Sequence, residues 1–148
     1  MEKVESMIGI YSNIFDSLEA TIERARLYRG QSRFYWSLPR QIGASTWILE
    51  QIKKDIKAGR VVILAGLPHI RSDVRNNLEL NEATKNKQLV VITTASSKIL
   101  SGSRVDRVYG DNIKYWSSAD QLEFMACVEP CLREDGYAVF INTTEGEP

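Results

Sequence analysis

The chain has 148 residues, of which 43% are hydrophobic and 26% charged, and its 19 basic residues balance 19 acidic ones. This composition predicts one globular domain with a substantial core and excludes an intrinsically disordered chain. No apolar run approaches the roughly 20 residues that span a bilayer, and the first residues lack a signal-peptide pattern, so we expect a cytoplasmic protein without a membrane segment. The only cysteines, Cys127 and Cys131, are predicted core residues, and with the single histidine, His69, they are too few for a closed zinc site.

The zero net charge hides an uneven distribution. Residues 1–23 contain five acidic residues against one lysine, and residues 120–148 contain seven against one arginine, so the middle of the chain is strongly basic. Five arginines lie close together there: Arg24, Arg26, Arg29, Arg33 and Arg40. Such a block suits an anionic partner, phosphate or nucleic acid, and it equally suits a solvated basic face balanced by acidic neighbours.

Helical and extended patterns alternate along the first half of the chain. Apolar residues three and four apart predict an N-terminal amphipathic helix within residues 3–27, which packs on the domain or pairs with a second copy. A strand is predicted at 33–38 and a loop at 39–45, followed by a helix at 46–58 that ends before Gly59. The continuously apolar residues 61–65 predict a buried strand.

The same alternation continues in the second half. We expect helical structure at 70–86, a strand at 89–92, a loop at 95–104 and a strand at 105–109. The last two elements are a helix at 118–135, kinked at Pro130 and ended by Gly136, and a strand at 137–141. The side chains of this helix predicted to face inward are Leu122, Met125, Val128 and Leu132. The whole pattern predicts a three-layer α/β/α domain around a mainly parallel five-stranded sheet.

The segment from Ser37 to Thr46 leads from the first strand into a helix, where a phosphate-binding loop would lie. The ordinary loop pattern is G-x-x-x-x-G-K-[ST], in which backbone N–H groups surround the phosphates and the hydroxyl binds magnesium. Here Leu38 stands at the first glycine, Gly43 at the second, Ala44 at the lysine and Ser45 at the hydroxyl.

Several features of this segment suit an anion despite the incomplete match. Gly43 lets the backbone approach a phosphate, and a helix that starts near Ser45 supplies partial positive charge. Arg40 and Gln41 add hydrogen-bond donors. The alternative interpretation is a plain turn between a strand and a helix.

A second segment supports the first. Residues 102–112 contain a strand with Asp111 at its carboxyl end, which is the layout of a Walker-B strand, whose aspartate holds magnesium. An acid after a strand is common, so this order of the two segments is more informative than either alone.

These segments resemble the ATPase domain of phage large terminases, the DNA-packaging motors, and related P-loop ATPases. Residues 39–46, Pro-Arg-Gln-Ile-Gly-Ala-Ser-Thr, are similar to that family's loop S-R-Q-x-G-K-[ST]-T, in which the first glycine is often missing too. Residues 101–111 are similar to the run that precedes its Walker-B acid, and residues 141–144 stand where the family has its Ser/Thr-rich coupling motif. The resemblance covers residues 28–146 and includes no counterpart of the family's nuclease domain.

The resemblance implies a P-loop fold, ATP and Mg²⁺ as cofactors, and double-stranded DNA, packaging proteins or further copies of the chain as partners. It implies that Ser45 and Asp111 hold magnesium, that Arg40 approaches the γ-phosphate, and that Thr143 and Thr144 sense it. The nucleotide-binding residues that it implies are Gln31 at the adenine and, in the loop, Arg40, Gln41, Gly43, Ala44, Ser45 and Thr46.

Two departures from the family pattern bear on catalysis. Ala44 removes the lysine that lies on the β- and γ-phosphates, and Asn112 replaces the acid that orients the attacking water. Ala44 is an engineered change, a natural degeneration, or a loss compensated by Arg40 with Lys98 or Arg104. Three function classes therefore stay open: an ATPase or ATPase-derived domain of a DNA-packaging machine, a nucleotide-binding regulator or assembly partner without turnover, and a DNA-binding protein that lost its nucleotide site.

Overall fold

The structure is a computed structural model that describes residues 2–39, 42–93 and 104–144. These residues form five α-helices, a short 3-10 helix (Ile113–Tyr115) and five strands. The helices are α1 (Glu2–Arg29), α2 (Ala44–Lys57), α3 (Ile70–Arg75), α4 (Leu78–Lys85) and α5 (Ser118–Cys131). The strands are β1 (Arg33–Pro39), β2 (Val62–Gly66), β3 (Leu89–Ile92), β4 (Val105–Asp111) and β5 (Leu132–Thr144).

All five strands run parallel in one sheet, in the order β1-β5-β4-β2-β3. From β1 at one edge of the sheet, the chain crosses to β2 and then to β3 at the opposite edge. It returns through β4 and ends at β5, which lies beside β1. The predicted α/β class with a parallel five-stranded sheet is confirmed, and helices on both faces make it a three-layer α/β/α domain of Rossmann-like type.

Each face of the sheet has its own apolar core. On one face, Ile48 and Ile52 of α2 pack with Val62 and Leu64 of β2, together with residues of α1, α3 and α4. On the other face, α5 packs against alternating residues of the same strands. The buried strands are apolar on both sides because each side chain, whichever way it points, meets a helix layer.

The N-terminal helix packs on the domain through its second half, as the apolar spacing predicts. Ile22 is buried, and the ring of Phe15 stacks on Trp47 of α2 with a centroid distance of 5.5 Å. Trp47 and Gln51 also donate hydrogen bonds to Glu19. In the part of the chain that the structure describes, no helix is both long and apolar enough to cross a membrane.

Two predicted helices differ from the observed ones. The stretch 70–86 divides into α3 and α4, because Asn77 adopts an extended backbone and its side chain accepts a hydrogen bond from the Leu80 N–H as the cap of α4.

The predicted loop at 95–104 lies, except for Arg104, outside the described residues.

The prediction that the last helix reaches residue 135 is wrong. After Pro130 the chain turns extended at Leu132, which already pairs with Val105. Gly136 does not stop a helix; it lies in an irregular part of β5, where a Cβ would come within 2.9 Å of the Asp106 carbonyl. Leu122, predicted to face inward, is 73% exposed. The other three residues predicted to face inward do so, because Val128 is buried in the core and Met125 and Leu132 pack against it. Phe124 and Cys131 join them in this core.

Candidate functional site

The strand order creates a crevice between β2 and β4. After β2 the chain enters helices on one face of the sheet, whereas after β4 it enters α5 on the other face. Open α/β sheets bind ligands where neighbouring connections diverge in this way, at the carboxyl ends of the strands. Gly66 and Asp111 are register partners at this point, so Asp111 lies at the mouth of the crevice.

Ser45 and Asp111 meet at this edge although 66 positions separate them in the chain. The Ser45 hydroxyl donates a hydrogen bond of 2.6 Å to the Asp111 carboxylate. Ser45 lies in the first turn of α2, and Asp111 is the last residue of β4 and only 3% exposed. The structure therefore brings together the two residues expected to hold magnesium.

Burial raises the pKa of the Asp111 carboxyl group above its ordinary value of 3.8. The Ser45 hydrogen bond and the charge of His69 favour the ionised form, while the nearby Asp73 opposes it. A carboxylate that is kept from water gains from a cation beside it.

Asn112 holds the carboxyl ends of β4 and β5 together. Its backbone is left-handed, with φ of 59°, a conformation that asparagine tolerates better than most residues. Its side-chain oxygen accepts hydrogen bonds from the Thr143 N–H at 2.7 Å and the Thr143 hydroxyl at 3.1 Å. Its amide nitrogen donates to Asp111 at 3.2 Å. These contacts occupy the side chain that the family resemblance places beside the attacking water.

The turn into α2 depends on Gly43. This residue caps the helix with φ of 91°, which favours glycine, and a Cβ there would touch no described atom within 4 Å. Among the described residues no side chain caps α2, and the first turn of α2 contains no acid that would compete with an anion there. Thr46 is exposed in the same turn, whereas Arg40 and Gln41 lie outside the described residues.

Ala44 does not face open solvent. It is 4% exposed and belongs to the core cluster that contains Leu38, Ile42 and Ile48. The residue at the lysine position therefore contributes to packing between β1 and α2.

The other predicted site residues occupy different places. The Thr144 hydroxyl donates to the Leu38 carbonyl at 3.3 Å, which ties β5 to β1 at the same edge. Gln31 precedes β1 and its side chain donates to the Arg33 carbonyl. Since β1 has seven residues, Gln31 lies about 20 Å from the Ser45 edge, and the structure does not bring it to the site.

Arg104 and Lys98 are the residues that, together with Arg40, could compensate for the missing lysine. Arg104 precedes β4 and lies at the amino edge of the sheet, away from Asp111, because parallel strands carry their starts to one edge and their ends to the other. Lys98 lies outside the described residues.

Three residues join this edge that the sequence analysis did not place there. Lys114 donates from its ammonium group to the Thr143 carbonyl at 2.6 Å, and His69 stands at the start of α3 near Asp111. Lys114 follows the Walker-B-like strand by three residues, which is the signal that a search for cations after predicted strands would have used. Trp116 also reaches the crevice, where its indole N–H donates to the Gly66 carbonyl at 3.0 Å.

The described residues at this edge offer two oxygen donors, the Ser45 hydroxyl and the Asp111 carboxylate. No cluster of three or more His, Cys, Asp or Glu side chains suited to a metal occurs in the described ranges. Magnesium usually takes one or two protein oxygens and completes its octahedron with water and phosphate, and the hydroxyl of Ser45 and the carboxylate of Asp111 match that donor set.

No protein-family model matches the chain, and a search of curated proteins found no significant sequence match.

Proposed function

We propose that this domain derives from P-loop nucleotide hydrolases and binds a magnesium–nucleoside triphosphate, with ATP as the expected ligand, at the carboxyl edge of its sheet. The observation that carries the proposal is the 2.6 Å hydrogen bond between Ser45 and Asp111 at the crevice between β2 and β4. This pairing supports a magnesium site because it joins a hydroxyl at a helix N-terminus to the acid at a strand end.

In this proposal the chain holds the ligand with a small set of groups. Ser45 binds the metal directly, and Asp111 orients a metal-bound water or binds the metal itself. The capping Gly43 and the free end of α2 approach the phosphates. A bound magnesium ion would supply the positive charge that balances both the phosphates and the buried Asp111 carboxylate.

A cavity beside the start of α2 offers a place for the base. It has a volume of about 540 Å³ and lies between α1 and α2, with Gly43 and Thr46 at one side and the stacked rings of Phe15 and Trp47 at another. Aromatic side chains at such a position favour contact with a planar base. Asp16, Glu19 and Glu50 also line the cavity and would repel phosphate, which leaves the triphosphate to the Ser45 side.

Hydrolysis is expected to be slow or absent. Ala44 packs into the core in place of a lysine that would stabilise the transferred phosphate, and the side chain of Asn112 is occupied by Thr143 and Asp111. Phosphoryl transfer depends on charge positioned at the reacting group, so these losses should reduce the rate by orders of magnitude. They favour the second candidate function, a nucleotide-binding regulator or assembly partner, over an active DNA-translocating ATPase of terminase type.

Calorimetric titration with Mg–ATP tests the binding. The wild type should bind in a magnesium-dependent way, and Ser45→Ala should weaken binding about tenfold, because one polar contact to a charged ligand is lost. Asp111→Ala should remove the magnesium dependence. Ser17→Ala, at an exposed position of α1, is the matched control and should bind as the wild type does.

A wild type that binds neither ATP nor GTP with magnesium would refute the proposal. If that protein instead bound duplex DNA with a steep salt dependence and no response to nucleotide, the remaining class, a DNA-binding protein without a nucleotide site, would hold.

Steady-state phosphate release then separates the binding protein from the enzyme. We expect no turnover by the wild type above a Ser45→Ala background. If Ala44→Lys gains hydrolysis that Asp111→Ala abolishes, the ATPase ancestry is supported. If the wild type itself turns over ATP rapidly, the prediction of slow or absent hydrolysis is wrong.

A further inference from the structure

A groove runs along β3, the strand at the edge of the sheet opposite β1. It has a volume of about 340 Å³ and is lined by residues of α3 and α4 and by three consecutive residues of β3, Leu89, Val90 and Val91. Successive side chains of a strand point to opposite faces of the sheet, so a groove that touches three in a row follows the backbone edge. We call it the β3 groove.

The outer edge of β3 presents backbone groups that are not used within the sheet. The Val62 N–H of β2 donates to the Gln88 carbonyl at 2.9 Å, so the backbone carbonyl of Gln88 faces β2. Since the two sides alternate along a parallel strand, the N–H and C=O groups of Leu89 and Val91 face away from β2. Among the described residues, no backbone group pairs with them from the outer side. An extended peptide can therefore pair with this edge.

Positive charge borders this edge. Arg71 and Arg75 of α3 and Lys87, which precedes β3, line the groove, and no described Asp or Glu joins them in the lining. All three side chains are exposed, and none of them forms an ion pair within the described ranges. An anionic ligand in the groove would therefore meet charged groups that solvent already reaches.

The two arginines favour a carboxylate between them. They lie four positions apart on α3, where like charges on one side of a helix oppose each other unless an anion is present. Nε of Arg71 donates to the Thr93 hydroxyl at 3.1 Å, while its two terminal nitrogens have no partner among the described residues. A guanidinium anchored in this way suits a carboxylate. Asp73, between the two arginines in the chain, acts on Asp111 instead and does not line the groove.

These features fit an acidic peptide better than a nucleic acid. The free edge offers alternating backbone donors and acceptors, which a peptide strand matches and a sugar–phosphate backbone does not. No aromatic ring lines the groove in the part of the chain that the structure describes, whereas proteins that bind single strands stack bases on such rings. Because β3 has only four residues, the ladder is short, and the affinity must come from the charged side chains as well.

We propose that the β3 groove binds an acidic segment of a partner protein, which adds to the sheet as an extended strand beside β3. The backbone of this segment pairs with Leu89 and Val91. Every second side chain of an added strand points to the face covered by α3, so carboxylates at alternate positions reach Arg71, Arg75 and Lys87. This inference does not depend on nucleotide binding between Ser45 and Asp111.

A labelled peptide of about eight residues, with glutamate and valine in alternation, is the probe, and fluorescence anisotropy measures its binding. We expect saturable binding that weakens as the ionic strength rises. A peptide of the same composition, with all glutamates before all valines, keeps the charge but loses the alternation. It should bind about tenfold more weakly or worse, and a peptide with lysine in place of glutamate should not bind.

Hydrogen exchange followed by NMR tests the pairing itself. In the free protein the amides of Leu89 and Val91 should exchange faster than the amide of Val90, which faces β2. Saturating peptide should slow exchange at Leu89 and Val91 by about tenfold or more and leave Val90 unchanged. Two further peptides, N-methylated at the glutamates or at the valines, each block one edge of the added strand. The one whose pairing edge is blocked should lose this protection.

Substitutions locate the binding. Arg75→Gln should weaken the alternating peptide about threefold, and the combination with Arg71→Gln and Lys87→Gln about tenfold or more. Arg24→Gln, at an exposed position of α1, is the matched control and should bind the peptide as the wild type does. Ser45→Ala should also bind it normally, which separates this groove from the proposed nucleotide site.

Four results would overturn the proposal. The first is no saturable binding of the alternating peptide, which would leave the charges as a guard against strand pairing only. The second is slow exchange at Leu89 and Val91 before peptide is added, or unchanged exchange after it. The third is tighter binding of single-stranded oligothymidylate than of the peptide, which would assign the groove to nucleic acid. The fourth is equal peptide affinity in the wild type and the triple variant. The first three come from the wild type and stand even if that variant fails to fold.

Discussion

At the scale of single residues, Asp111 combines a proposed binding role with a cost in stability. It is nearly inaccessible to solvent, and burial raises its pKa although Ser45 donates a short hydrogen bond to it. A group whose pKa is higher in the folded than in the unfolded protein favours folding when it is protonated. Its contribution is therefore complete below the ordinary pKa and is lost as the pH rises through the raised value.

Asp111→Asn should reveal this cost in the pH dependence of stability. The free energy of unfolding of the variant minus that of the wild type should rise between about pH 4 and pH 7, by an amount on the order of 1 kcal/mol, because only the wild type must ionise a buried group. Urea unfolding across this pH range measures the difference, in which losses independent of pH cancel. A difference that stays flat, or that falls, would contradict the assigned direction of the pKa shift.

Gly110 is required by close packing between strands. A Cβ at this position would lie 2.5 Å from Cδ1 of Phe140, a distance that real contacts do not allow. Phe140 is itself fixed by stacking on Tyr35 and by an edge contact with Phe124.

We predict that Gly110→Ala lowers the free energy of unfolding by about 1–3 kcal/mol, since the ring must move within a full core. Thermal unfolding measures this loss. In the Phe140→Leu background the same glycine substitution should cost less, because the clashing ring is absent. An equal cost in both backgrounds would assign the effect to the backbone instead.

At the scale of secondary-structure elements, helix ends decide where the chain changes direction. Asn77 divides the predicted stretch 70–86 by capping α4 through the Leu80 N–H at 3.2 Å. α5 ends within two residues of Pro130, because proline lacks the N–H that would continue the ladder and the chain enters β5 directly. Each of these helix ends depends on a single residue. The exact position of each end was harder to predict than the presence of the helix.

Asn77→Ala should destabilise the domain by about 1 kcal/mol, the usual value of a lost side-chain cap. Asn77→Asp should retain most of the stability, because its carboxylate still accepts the Leu80 N–H and lies at a helix N-terminus. Asn76→Ala, at the exposed neighbouring position, is the control and should be close to neutral. Chemical unfolding of the four proteins provides the comparison, and similar losses for both alanine variants would exclude a capping role.

At the scale of the whole molecule, a buried polar network links the helix layer to the sheet. Asp55 of α2 is 4% exposed and accepts a hydrogen bond from Tyr109 of β4. Burial raises the pKa of Asp55, although Tyr109, Arg107 and Arg60 act in the opposite direction. Burial likewise raises the pKa of Tyr109, so the hydroxyl stays a donor in the folded protein.

Tyr109→Phe should lower the free energy of unfolding by about 1–3 kcal/mol, because one oxygen of a buried carboxylate loses its donor while the ring remains. Asp55→Asn should cost more, about 3–5 kcal/mol, since the buried Arg107 then lacks its nearest anion. The double variant should lose less than the sum of the two single losses, and a double-mutant cycle measures that coupling. Fully additive losses would mean that the two side chains act independently.

The amino-acid sequence by itself determined the class of fold. Continuous apolar runs at β2 and β3, separated by helical spacing, predict a parallel sheet covered on both sides, since only such a sheet buries every side chain of a strand. The sequence also predicted that Gly43 precedes a helix and that Asp111 ends a strand, because both positions depend only on the neighbouring residues in the chain.

Only the tertiary structure decided which distant residues meet. Strand order cannot be derived from spacing along the chain, and it is the order β1-β5-β4-β2-β3 that places Ser45 against Asp111 and leaves Gln31 at the far edge. The same order gathers Arg26, Asp55, Arg107 and Tyr137 around one cavity. These groups come from four elements, and no local pattern marks them, because the favourable contacts arise only after two helices have packed on the same face of the sheet.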